Sequence, residues 1–423
     1  MTSRWKYLVV TSSTILVVFL LAGARQGASA NSNEDQYRHL AVFTEVLSRI
    51  KSDYVEEPDL KNVTLGALNG LLESIDPYAS HLSADQYKQY LKSKEQKKAD
   101  VGLVLSKRLG YVGVVDAIPG SPAHKIGLNT GDIIESINGV ATRDMPLVYA
   151  EMILQGEPGT NVEIGVLRVS KPDPTKLTIT RAHTPAPAVT AKMLPDQIAL
   201  IQVPSLDAAK VKDVKSKLED LQKQGAKKVI LDLRNDPLGS PEDGIKLANL
   251  FLDKGLITYL QGQKVSRENF NASREDSVSK LPLTVITNRG TARGAEIAAA
   301  ALLDNKRAEV VGERTYGDAA LRKPITMDDG SAVILSVAKY YSPSGKAIQD
   351  TGVTPTVPVA DAQPVLDSDD DPAPAPEPPS DKKEDLLLKR AIEVANGVKA
   401  TAGRTEDNRG GVALTPLGVP ARK

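Results

Sequence analysis

The sequence predicts an α+β chain of several domains: a helical N-terminal region, a β-rich module and a larger α/β core. Three observations carry this. Leu40, Phe43, Val46, Leu47 and Ile50 recur at helical spacing. Further on, Gly127 and Gly131 suit tight turns, Ile133 and Ile137 fit one face of a strand, and Asn138-Gly139 is a hairpin turn signal. From Ile198 onward, short apolar strands alternate with amphipathic helices, the pattern of βαβ units.

The first segment, 1–30, reads as a secretory signal. Arg4 and Lys6 precede a mostly apolar run from Tyr7 to Ala22, and Ala28-Ser29-Ala30 has the small-residue pattern of a cleavage site. An uncleaved membrane anchor is the alternative, although the run is short for a full span. Either way a periplasmic or other extracytoplasmic location is expected, with an inner-membrane tether if the leader stays. The absence of cysteine excludes disulfides, a lipidation box and thiol catalysis. Lys+Arg and Asp+Glu both number 53, so the net charge is zero, which argues against a dedicated nucleic-acid binder.

Residues 31–96 form the expected helical region. Asp76-Pro77 breaks it, and Ser83-Ala84-Asp85-Gln86 starts another helix as a capping box. The β-rich module spans 97–186. The core spans 187–360, with strands at Ile198–Val203, Val229–Leu233 and Leu283–Thr287. Between the first two lies a helix from Ala208 to Gln224, with Val211, Val214, Leu218 and Leu221 on one face and Gly225 as its stop. An Ala-rich helix begins at Gly294. The tail, 361–423, is Asp- and Pro-rich between Asp367 and Pro379, the composition of a disordered linker, with one helix expected within Lys382–Ala400.

Two strings in the core carry the most information. Asn288-Arg289-Gly290-Thr291-Ala292-Arg293-Gly294-Ala295-Glu296-Ile297 leads from a strand into the Ala-rich helix, and Gly312-Glu313-Arg314-Thr315-Tyr316-Gly317-Asp318 follows one strand later. Together they resemble the active-site blocks of the C-terminal processing peptidases, or tail-specific proteases, which use a serine nucleophile and a lysine base. The pattern there is N-x-G-[ST]-A-S-A-S-E-I, then G-x-x-T-[FY]-G-K-G-x-x-Q. In this register the nucleophile falls on Arg293, the base on Asp318, and the glutamine that steadies the base on Arg322. Acyl transfer needs an oxygen or sulfur nucleophile and a neighbour that takes its proton. Arginine, permanently protonated, is neither. Thr291 is the nearest hydroxyl in sequence, and its expected role is to hold the turn.

Other blocks agree with the resemblance. Asp232-Leu233-Arg234-Asn235-Asp236-Pro237-Leu238-Gly239 resembles D-L-R-x-N-P-G-G, whose glycine backbone helps form the oxyanion hole. Leu238 replaces the first glycine, and its Cβ would obstruct a donor that needs unusual backbone angles, so the Leu238–Gly239 region is expected to be a damaged hole. Gly120 to Gly139 closely resembles a bacterial PDZ domain, and the core is similar to the crotonase-like core of the same peptidases. The PDZ resemblance implies capture of a peptide C-terminus by strand addition. Its carboxylate cradle would be Val101, Gly102, Leu103 and Val104. Its pocket would use Leu147, Ala150 and Met152 on a helix from Pro146 to Gln155. In the plainer alternative, Leu103 and its neighbours are ordinary strand positions.

Two roles are open for the replaced site. Arg293 and Asp318 can form an ion pair that fills the vacated space. Alternatively, Arg293 and Arg322 against one Asp318 leave a positive excess that holds a peptide carboxylate. Three functions follow. The first is an exported pseudoprotease that binds protein or peptide C-termini as an adaptor, or as a regulator of an active protease or envelope protein. The second is an active peptidase with an unrecognised nucleophile beside a lysine. The third is a structural envelope protein with a closed PDZ groove. No cofactor is implied, and His39, His81, His124 and His183 are scattered without ligand spacing, so no metal site is expected.

Overall fold

The structure, a computed structural model, describes residues 38, 40–95, 98–108, 110–143, 145–168, 171–359 and 385–398. The expected leader, the Pro/Asp-rich linker and the end of the tail lie outside the described residues. The chain divides into two units, Met1–Leu71 and Leu72–Lys423.

In the first unit, helix α1 covers 40–53 and most of α2 (Leu60–Glu73) follows. The Asp59 carboxylate accepts from the N–H groups of Lys61 and Asn62 and so caps α2. The helical spacing in α1 is as expected, but Leu40, Phe43 and Val46 are exposed. The periodicity located the helix and did not show that its stripe is covered.

The second unit opens with a departure from the all-helical expectation for 31–96. Strand β1 (Ser80–Leu82) pairs antiparallel with a strand more than two hundred residues later, placing Ser80 opposite Ile334. Three residues give no periodicity to detect, and partner strands supply what holds them. Helix α3 (Ala84–Glu95) then starts with the predicted box: Ser83 N–H donates to Gln86 Oε1 and Gln86 N–H to Ser83 Oγ.

The PDZ module follows as β2 (Leu103–Arg108), β3 (Tyr111–Ala117), α4 (Pro122–Lys125), β4 (Ile133–Ile137), β5 (Val140–Ala141), α5 (Leu147–Leu154), β6 (Asn161–Arg168) and β7 (Lys171–Thr180). The strand order is β2-β3-β4-β6-β7, with β5 paired to β4, so β2 is an edge strand. Asn138 and Gly139 both take positive φ, +49° and +76°, as a two-residue hairpin turn of this sequence requires. Val112, Ile134, Ile137, Leu147, Ala150 and Ile164 fill the module's core. The buried Arg181 side chain donates to the Ile153 and Leu154 carbonyls and satisfies the C-terminal end of α5.

The α/β core runs β8 (Thr190–Leu194), β9 (Ile198–Gln202), α6 (Ala208–Lys223), β10 (Lys228–Asp232), α7 (Pro241–Asn249), β11 (Leu256–Gln261), β12 (Glu268–Asn271), β13 (Leu283–Thr287), α8 (Gly294–Asp304), β14 (Ala308–Gly312), β15 (Ala320–Thr326), β16 (Ala332–Tyr341) and β17 (Val357–Pro358). Its main sheet has the order β17-β14-β13-β10-β9-β8, parallel throughout except for β8 against β9. A parallel sheet is covered on both faces, which is why its strands read as unbroken apolar runs. Ala199, Ile201, Val229, Leu231, Val285 and Val310 meet α6, α7 and α8 on one face. Ile198, Leu200, Ile230, Ile286 and Val311 point the other way and are covered by helix α9 (Leu386–Ala395), through Leu387 and Ala391. This helix lies within the span the sequence assigned to one.

Helices α7 and α8 touch through backbone. A Cβ on Gly244 would come within 2.1 Å of the Gly294 carbonyl oxygen. Only glycine permits that approach, and it sets the start of α8 beside the 239–241 loop.

Candidate functional site

The site is built where β13 turns into α8. The Asn288 side chain accepts from the Asn235 and Gly290 N–H groups and donates to Asn235 Oδ1, which ties the 233–236 loop to the 288–292 loop. Thr291 is fully buried. Its hydroxyl donates to the Leu233 carbonyl at 2.7 Å and accepts from the Asn288 N–H at 3.1 Å, so it holds the turn, as expected. Arg293 then takes φ +54° and ψ −120°, a conformation non-glycine residues rarely adopt. It is the sharp strand-to-helix turn that would present a nucleophile at its tip.

Glu296, also fully buried, fastens this turn to the second string. Its carboxylate accepts from the N–H groups of Arg293, Gly317 and Asp318 at 3.1, 2.6 and 2.8 Å, and from the Thr315 hydroxyl. The quoted E-I block contained Glu296, yet spacing gave no sign that this one carboxylate joins both strings.

Across from the turn, Arg293 Nε donates to Asp318 Oδ2 at 3.0 Å, and the Arg322 terminal nitrogen donates to Asp318 Oδ1 at 2.5 Å. The Asp318 side chain is 5% exposed, those of Arg293 and Arg322 35% and 22%. Burial opposes charge on Asp318, but the two guanidiniums outweigh it and hold the carboxyl below its ordinary range. The Arg322 guanidinium also lies 3.9 Å from the centre of the Tyr78 ring. Arg293, Asp318 and Arg322 therefore meet in one ion-paired cluster.

A residue the sequence did not reveal joins the cluster. Glu151, on α5 of the PDZ module, is within electrostatic reach of Arg293, Arg322 and Asp318, and burial holds its carboxyl above the ordinary range despite the two arginines. No motif pointed to Glu151, because only the docking of α5 brings it here.

A cavity of about 350 Å³ opens beside the cluster, lined by Gly239, Ser240, Pro241, Arg293, Ile297, Asp318, Ala319, Ala320 and Arg322. The left-handed backbone angle in this wall falls on Gly239, at φ +111°, and not on Leu238. The obstruction expected at Leu238 is therefore misplaced: the position that needs glycine has kept it. Next to it, Asp236 is fully buried, and neither carboxylate oxygen makes a well-formed hydrogen bond among the described residues.

A second pair emerges close by. Lys210 Nζ lies 2.7 Å from Ser205 Oγ, both side chains buried, with an Asp207 carboxylate oxygen 3.9 Å from the ammonium. The only sequence sign was a serine and a lysine on either side of the α6 cap.

In the PDZ module, Val101, Leu147 and Ala150 are buried in the core rather than lining an open groove, while Leu103 is half-buried. Gly102 N–H already donates to Asp100 Oδ1 at 2.9 Å, so one expected cradle donor is occupied. Val104 pairs with Asp116 in the β2–β3 ladder, and no strand covers the outer edge of β2 among the described residues.

Three buried acids near these loops set a pH response. Burial pushes Glu296 up to about 7 and Asp116 up to about 6, and raises Asp236 well above its ordinary value. Each folded value exceeds the unfolded one, near 4. Their stabilising contribution is full below that and is lost as pH rises through the folded values. Asp318, shifted downward, acts only at lower pH. The folded chain should thus lose stability, on the order of 4 kcal/mol, between pH 5 and pH 8. Thermal melts should show it, with Glu296→Gln flattening the profile; a melting temperature that rises over this interval would reject the assignment.

The fold defines a class: an α/β core carrying a PDZ module, with a sharp strand-to-helix turn at Arg293. Residues 197–359 match peptidase family S41 and residues 113–168 match the PDZ domain. The chain is 32% identical to the carboxy-terminal processing protease CtpA of Bacillus subtilis, over 82% of this chain and 74% of that protein. It is 30% identical to the carboxy-terminal-processing protease of Bartonella bacilliformis, over 81% of this chain and 82% of that one. Among solved structures, the photosystem II D1 C-terminal processing protease superposes with a TM-score of 0.62 at 24% identity, over 76% of this chain and 92% of that one, and so shares the fold. The chain belongs to the carboxy-terminal processing protease family, within peptidase family S41.

Proposed function

We propose that this chain is an exported, catalytically inert member of its family that binds protein C-termini through its PDZ module, as an adaptor or a regulator of an active protease. The observation that carries the reading is the Arg293–Asp318–Arg322 cluster, which occupies the positions of nucleophile, base and supporting amide. A guanidinium cannot attack a carbonyl, and a carboxylate clamped by two guanidiniums is a poor base. The signal-like leader supports export, and the uncovered edge of β2 supports strand addition.

One observation favours the second reading, residual peptidase activity: Ser205 and Lys210 lie within hydrogen-bond distance. Their setting argues against it. Ser205 is 3% exposed and does not line the cavity, and Lys210 Nζ donates to its hydroxyl. One observation favours a structural role, the Asp100 carboxylate seated on Gly102 N–H.

The test is digestion of an unfolded protein with a free C-terminus, followed by mass spectrometry. The natural chain, Ser205→Ala, and the triple variant Arg293→Ser/Asp318→Lys/Arg322→Gln run side by side. The natural chain is expected to yield no products. Cleavage gained only by the triple variant would show that the scaffold kept its geometry. Products from the natural chain that disappear in Ser205→Ala would overturn the proposal and identify the nucleophile.

A further inference from the structure

We propose that the vacated catalytic pocket is itself a binding site for the free carboxylate of a peptide ending in a small apolar residue, held by the outer edge of the Arg293 guanidinium. This site is separate from the PDZ groove and does not depend on it.

The argument begins with unspent donors. Arg293 engages Asp318 through Nε alone, and its two terminal nitrogens make no hydrogen bond among the described residues. Two parallel N–H donors in a rigid fork match the two oxygens of a carboxylate. The side chain is 35% exposed and lines the cavity. Strain at φ +54° and the contact with Asp318 both fix its direction, so little freedom remains to be lost on binding.

A second donor lines the same cavity. Gly239 N–H makes no hydrogen bond among the described residues, and Gly239 keeps the positive φ that Leu238 does not need. This is the wall that presents backbone donors to an oxyanion in an active relative, and a carboxylate oxygen carries similar charge. Arg322 is the weaker candidate: its guanidinium is committed to Asp318 and to the face of Tyr78.

Size and lining choose the occupant. About 350 Å³ is at the low end for ligand pockets and suits one or two terminal residues rather than a long segment. Pro241, Ile297, Ala319 and Ala320 supply an apolar floor for a small last side chain. Glu151 is the facing carboxylate on the PDZ helix, and it makes no direct ion pair with either arginine.

The probe is N-acetyl-Ala-Ala with a free carboxylate, and the same molecule as a C-terminal amide. The dipeptide is too short to add a strand to β2. Binding to the full chain is followed by ligand-observed NMR and calorimetry, for the natural sequence, Arg293→Ala and Arg293→Lys. The acid should bind at least about tenfold tighter than the amide, as expected for hydrogen bonds to charged groups. Arg293→Ala should lose at least about tenfold, and Arg293→Lys should fall between. Equal binding of acid and amide, or no binding at all, would overturn the inference. Acid-selective binding that Arg293→Ala leaves intact would place the carboxylate elsewhere, overturning this inference while leaving the proposed function standing.

Discussion

Asp318→Ala should destabilise the chain by roughly 3–5 kcal/mol, the cost of breaking a buried ion pair from one side. Asp318 is the only carboxylate in direct contact with Arg293 and Arg322 among the described residues. Its loss leaves two guanidiniums facing each other, one of them pinned against Tyr78 with a buried, unpaired Nε. Glu151 cannot replace it, since it comes from another element and pairs directly with neither. Adding Arg293→Ala and Arg322→Met to the same chain should recover most of the loss, because replacing a whole buried ionic cluster by apolar groups is often neutral or better. Chemical denaturation of the single and triple variants measures both effects. If Asp318→Ala melts with the natural chain, the cluster is a surface decoration and not the filling of the site.

Helix α9 should be as important to the fold as any core helix. Leu387 and Ala391 are fully buried against Ile198, Leu200, Ile230, Ile286 and Val311, all nearly inaccessible. Arg234 adds a two-pronged contact, donating to both Asp385 oxygens at 2.9 and 2.8 Å while also holding Asp232. Leu387→Ala should cost about 2–5 kcal/mol, as for other leucines deleted from a core. A chain stopped after residue 359 should expose an apolar sheet face and associate. Light scattering and dye binding read that outcome; a truncated chain that stays monomeric with an unchanged melting temperature would show that α9 is dispensable.

How much of this was legible depended on the range of each signal. The strands of the main sheet, the α6 face and the cap at Ser83 are local patterns, and the folded elements follow them. The resemblance of the flanking residues brought Arg293, Asp318 and Arg322 together on the page, and the fold brings them into contact. What failed was what only docking decides. Glu151 has no neighbour in sequence that reveals its target, and β1 exists because β16 offers an edge. The Leu238 expectation failed differently: it placed the unusual angle one residue early, and φ is not written in a side-chain pattern.

The ion-paired cluster also constrains the order in which a serine and a lysine could be installed at positions 293 and 318. A lone Asp318→Lys step would set three cations around a buried point, a arrangement that like-charge repulsion and desolvation both oppose. A serine at 293 alone would keep Asp318 locked to Arg322 and gain nothing. A lysine fits at 318 only after at least one arginine has left, so each early step is either neutral or harmful and none is rewarded. The strained turn stays fixed through every such step, while the charges beside it act as a ratchet against stepwise change.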